Sequence, residues 1–189
     1  MSLATTVAAI FEGPRAARIH FRLGRLEISP LRLRGVGQAI KKGDIKVEVA
    51  SSGKLLSASY HPHSDTLTVP DDKLASVSAQ AGVLHEGVHA LVDMYKCKEV
   101  TVLNDEAAAY LAEVIYLRAA HSWVNGGAAE MAIYNAADQV AKAHDLYSKR
   151  GVRLSVDDAA DLRAAIHKHP AYSSIGAKQK TSGHGLHKH

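Results

Sequence analysis

The chain of 189 residues contains a single cysteine, Cys97, so it forms no internal disulfide and offers no multi-cysteine zinc site. Any metal it binds must be held by His, Asp or Glu. Aromatic residues make up only 5% of the chain. Alanine runs such as AAAY (107–110) and AADQVAKA (136–143) stand where bulkier residues would otherwise pack, which predicts closely packed helices. Long apolar runs are also missing. The N-terminal stretch MSLATTVAAIFEGPR has no Lys or Arg before its short apolar segment, so it lacks both the length of a membrane span and the layout of a secretory signal. The expectation is a cytoplasmic protein without a membrane partner, export by a route using no cleaved signal being left open.

Acidic residues are scarce in the first sixty positions. Only Glu12, Glu27, Asp44 and Glu48 face Arg15, Arg18, Arg22, Arg25, Arg32, Arg34, Lys41, Lys42, Lys46 and Lys54, within a net charge of +4. No nucleic-acid motif accompanies this excess, so a solvated surface is preferred to a nucleic-acid interface.

What is present reads as an α+β domain over residues 1–172. Residues 1–70 are β-rich: RIHFRL, LEIS, IKVEVA, LLSASY and TLTV are short, partly alternating runs, and HPHSD (61–65) is the turn between the last two. Residues 71–169 are helical. One helix is expected from Pro70-Asp71-Asp72 to about Lys96, and a second from an N-cap at Asn104. A third runs from Ala128 to Lys149, and a fourth opens at the capping box Ser155-Val-Asp-Asp158 and ends before Pro170. Residues 173–189, polar and rich in Gly, Ser and His, read as a disordered tail.

The stretch LHEGVHA (84–90) carries the chemistry. On a helix His85 and His89 share one face, with Cβ atoms about 5–6 Å apart, and reach one ion without bending the backbone. Glu86, about 100° of rotation from His85, approaches a water on that ion without ligating it. Random order of twelve histidines and eight glutamates would produce HExxH with a probability of about 3%, so the surroundings must decide. Gly87, inside the motif, costs about 1 kcal/mol of helix propensity and suggests a close approach to the backbone.

A catalytic zinc takes three protein ligands. Asp93 lies about 12 Å of helical rise from His85, too far to join both histidines on one ion. It reads as a hydrogen-bond partner behind the ligands or as a solvent-facing acid. Asp105 and Glu106 open the next helix, which can return antiparallel. Ala108, Leu111, Ala112, Ile115 and Ala119 form its core stripe, while Glu106, Tyr110 and Glu113 share the neighbouring face. Glu106 is preferred as third ligand and Asp105 stays as the alternative. Tyr110, one turn from Glu106, is the candidate oxyanion donor.

HEGVHALVD followed by NDEAAAYLAE resembles the gluzincin branch of the zincin metallopeptidases, and the second stretch is similar to the ExxAxxFA-type helix of small bacterial metallopeptidase-like proteins. The resemblance covers roughly residues 65 to 120. It implies His85, His89 and Glu106 as zinc ligands, Glu86 as general base, and a zincin-like fold whose edge strand, around Thr66 to Val69, lines the cleft. The implied activity is hydrolysis of protein or peptide substrates. A non-catalytic zincin-like metal- or partner-binding module is the alternative, and an effector or toxin domain is a possible context.

Overall fold

The computed structural model describes residues 2–50, 57–176, 178–181 and 185–186. Among these the chain is mixed α and β, with six α-helices and two three-stranded sheets. The first sheet has the order β2 (Leu26–Ile28), β1 (Phe21–Leu23), β6 (Val152–Leu154). It joins an antiparallel hairpin to a parallel strand from far along the chain. The second has the order β3 (Lys46–Val49), β5 (Thr66–Val69), β4 (Ser59–His61), with β3 parallel and β4 antiparallel to the central β5.

The expected strands are found, with Leu55 and Leu56 of LLSASY outside the described residues. The N-terminal region is not uniformly β-rich, however. It also holds α1 (Leu3–Glu12) and α2 (Pro30–Lys42). In α1 the Ser2 hydroxyl accepts the Thr5 N–H at 3.2 Å, and Val7, Ala8, Ile10 and Phe11 are buried. In α2 Leu33, Val36, Gly37 and Ile40 repeat at i, i+3, i+4 and i+7.

The central helices begin at other caps than expected. Asp71 does not open α3. Its carboxylate accepts the N–H groups of Lys73 and Leu74 in a local turn, and Leu74 takes a positive φ of 44°. The helix α3 (Val77–Met94) starts after Ser76, whose hydroxyl accepts the Ala79 N–H at 3.0 Å. Likewise α4 (Val102–Ala119) is capped by Thr101 and not by Asn104. Farther on, α5 (Ala128–Ala143) stops short of Lys149, where Asp145 adopts a left-handed φ of 57°. The Ser155–Asp158 capping box forms as expected and leads through a short turn into α6 (Ala160–Lys168).

Helix α4 lies at the centre, touching α3, α5, α6 and β2. Ala107, Ala108, Ala109 and Ala112 are fully buried, so its small residues let neighbours close in from every side. That is why the expected core stripe is only part of its buried surface. Where it is described, the segment after α6 lies against the start of α4 and the end of α3. Gln179 and Thr181 exchange backbone hydrogen bonds with Val102 and Val100, and the Gly185 N–H donates to Asp93. His184, His187 and His189 of the expected tail lie outside the described residues.

Candidate metal centre

Two helices and one edge strand build the site. Pairing of His85 with Glu113, and of His89 with Asp105, shows that α3 and α4 run antiparallel. The position of α3 depends on Gly87. A Cβ there would overlap the ring of Phe11, so glycine lets α1 lie directly against the motif. This is the close approach that the glycine suggested.

The ring nitrogens of the two histidines face different partners. The Nδ1 of His85 lies 3.0 Å from Glu113 Oε2, and Glu113 Oε1 accepts the Tyr134 hydroxyl at 2.8 Å. The Nδ1 of His89 lies 3.1 Å from Asp105 Oδ1. Both Nε2 atoms turn towards Glu106, at 3.4 Å for His85 and 3.6 Å for His89. Glu106, one residue on from Asp105, thus reaches the side of the histidines opposite to the one Asp105 touches. Among the described residues its buried Oε2 makes no hydrogen bond, and the same is true of Asp105 Oδ1. When His85 donates its Nδ1 proton to Glu113, its neutral ring keeps a lone pair on Nε2, the tautomer that a metal ligand needs.

Glu86 is a fourth carboxylate close to the histidines. One donor atom from each of His85, Glu86 and His89 lies within 4.8 Å of the others, so this trio could also hold a metal ion. The Glu86 Oε2, however, accepts the backbone N–H of Tyr60 at 2.8 Å. That bond ties the motif helix to β4. The Tyr60 hydroxyl donates to Asp93 Oδ2 at 2.9 Å and lies 3.4 Å from Asp65 Oδ1, which makes a second tie. The strand beside the motif is therefore β4, and the Thr66–Val69 strand expected there is the central one. Asp93 is not solvent-facing. It is 3% exposed and joins β4 and the C-terminal segment to α3.

The electrostatics follow from four carboxylates around two imidazoles. Burial pushes the His89 pKa down, but Asp105 and Glu106 outweigh it and raise the value to about 9. Burial likewise opposes a charge on His85, and contacts with Glu106 and Glu113 overcome it, so its pKa is raised. Burial would raise the Glu106 pKa, but His89 and His85 hold it down to about 2. The site stabilises positive charge at the imidazoles, and a divalent cation meets the same field.

Tyr110 packs its ring edge-on against His85, with centroids 4.6 Å apart, and its hydroxyl lies 3.3 Å from that of Tyr172. Tyr172 also interacts with Glu106. Cavities open on both flanks of the histidines. One is lined by Tyr60, His89, Asp105, Glu106 and Lys180, the other by Gly82, His85, Glu86, Tyr110 and Tyr172.

No protein-family model matches this chain, and no curated protein or solved structure matches it either. Its function must be argued from these residues themselves.

Sequence reasoning brought forward His85, Glu86, His89, Glu106 and Tyr110, and all five side chains meet here. It did not single out Tyr60, Glu113, Tyr134 or Tyr172. Glu113 had a visible signal, its place on the Glu106–Tyr110 face of α4. The tyrosines come from separate elements and carry no local signal.

Proposed function

We propose that the protein is a zinc-dependent peptidase that cleaves peptide bonds with Glu86 as general base. One observation carries the reading: two of the carboxylates around the histidines, Glu106 and Glu86, are differently engaged. Glu106 turns Oε2 towards the Nε2 of His85 and Oε1 towards the Nε2 of His89, and its buried Oε2 makes no hydrogen bond among the described residues, as suits a third ligand, whereas Glu86 is held to one side by the Tyr60 N–H. His85, His89 and Glu106 form a nitrogen and oxygen donor set suited to zinc, with Glu113 and Asp105 orienting the imidazoles. Zinc in that set would supply Lewis acidity, making water more acidic and polarising the scissile carbonyl.

The chain's own residues account for the proton transfers. Glu86 takes a proton from the attacking water and returns it to the leaving amine. Its hydrogen bond to Tyr60 fixes the carboxylate for both transfers. The Tyr110 and Tyr172 hydroxyls, one against the other, are the candidate donors to the developing oxyanion.

The same Tyr60 bond favours a second reading, a binding module in which Glu86 is only a structural tether. The Glu86→Gln variant separates the two. A peptidase keeps its zinc and loses at least about a thousandfold in turnover of denatured protein, more than the 10²–10⁴ range's lower end for acid–base catalysis. A module binds zinc in both forms and hydrolyses nothing in either. Loss of zinc from the variant would make Glu86 a ligand and refute the assignment. Among the described residues no helix is long and apolar enough to cross a membrane.

A further inference from the structure

The cavity beside Glu86 has a chemistry that the general peptidase reading does not use. Its volume is about 120 Å³, and its walls include Tyr110, Tyr134, Tyr172, Gly82 and Glu130 together with His85 and Glu86. A group seated there lies next to the proposed reacting centre. Among the described residues its lining holds three glutamates, the imidazole of His85 and no Lys or Arg. Two of these glutamates are engaged, Glu86 by Tyr60 and Glu113 by His85 and Tyr134. Glu130, in the first turn of α5, is exposed at the rim, with its side chain folded over Gly126.

The tyrosines are fixed in place. Tyr110 and Tyr134 meet edge to face, with centroids 5.5 Å apart, and their hydroxyls are tied to Tyr172 and Glu113. Such rings attract cations through their electron-rich faces. An acidic guest would meet like charge, and an apolar guest would strip water from Glu130 without replacing its contacts.

Gly82 is an independent sign of room kept for a guest. It sits inside α3, where alanine would favour the helix by about 1 kcal/mol. A Cβ there would meet nothing within 4 Å among the described residues, so neither their packing nor a positive φ calls for glycine.

We infer that this cavity is a cation-binding pocket that receives the ammonium or guanidinium head of a substrate side chain. The guest's identity as a Lys or Arg of a peptide rests on the peptidase reading.

The test is NMR titration of the full-length protein with n-butylguanidinium and with its neutral analogue n-butylurea. The expected result is saturable shifts at Gly82, Tyr134 and Glu130 for the cation, with the urea at least about tenfold weaker. Glu130→Gln should weaken the cation about threefold to fivefold, in line with an exposed charge pair. Gly82→Leu should abolish its binding, with the circular dichroism unchanged. Equal binding of the urea, or no saturable shift at these residues, overturns the pocket. Zinc-loaded protein should also prefer Lys- or Arg-containing peptides over matched Leu and Glu peptides. Cleavage indifferent to charge overturns the pocket and leaves the peptidase reading standing. Cation binding without cleavage of any peptide supports the pocket and overturns the peptidase reading.

Discussion

Replacing Glu113 by glutamine should weaken zinc binding roughly 10–100-fold while the fold survives. The carboxylate is 4% exposed and serves two partners, His85 Nδ1 at 3.0 Å and the Tyr134 hydroxyl at 2.8 Å. Glutamine has nearly the same shape. Its amide oxygen can still accept from Nδ1, and its amide nitrogen can donate to the Tyr134 oxygen once that hydroxyl turns, so both contacts are kept as hydrogen bonds. What disappears is the negative charge that makes the imidazole a better donor to a cation. The expected loss equals about 1.4–2.7 kcal/mol of binding free energy. Asp105→Asn should act similarly through His89, where the separation is 3.1 Å. Asp138→Asn is the control. This acid is also buried but is held by Arg118, Lys142 and Tyr147, and zinc affinity should not change. Competition against a chromophoric chelator at pH 7 measures all three. If Glu113→Gln shifts affinity no more than Asp138→Asn does, the proposed role of the carboxylate behind His85 is wrong.

Gly87→Ala should destabilise the protein by about 1–3 kcal/mol in urea unfolding, because its methyl group overlaps Phe11; in a Phe11→Leu background the same change should cost clearly less. Asp138 sets an acid limb of stability. Burial opposes its charge, but Lys142, Tyr147 and Arg118 outweigh burial and lower its pKa below the ordinary 3.8. The depressed value means that its contribution is fully present above that ordinary value and is lost as pH falls through the folded one. Asp138→Asn should therefore be less stable than wild type at neutral pH, with the gap narrowing below about pH 4. A gap that stays constant from pH 7 to pH 3 would contradict this.

Local patterns in the sequence reached the strands and the motif helix. Alternation marked β1 to β5, and the i, i+4 spacing of His85 and His89 needed only a helix to place them on one face. Glu106 was reachable because periodicity and a short connection leave α4 little choice about where its first turn returns. The helix α1 was missed because its apolar stretch was weighed only as a signal or a membrane segment. In α2, Gly35 and Gly37 and the surrounding charges obscured an amphipathic repeat. The strand β6 is three residues long and acquires its identity by pairing with β1, about 130 positions earlier. Tyr60 and Tyr172 enter the site from elements separated from the motif in sequence, so only tertiary packing reveals them. The same holds for Gln179–Thr181, whose polar composition reads as tail and whose backbone pairs with residues 100–102.

The central claim is that His85, His89 and Glu106 hold a metal while Glu86 is kept free for proton transfer. Anomalous diffraction at the zinc edge from crystals of the zinc-loaded protein tests it most directly. The account predicts one strong peak about 2.0–2.2 Å from both Nε2 atoms and from a Glu106 oxygen, with Glu86 outside bonding distance. A peak ligated by Glu86 in place of Glu106, or zinc found only on histidines outside α3, would contradict it.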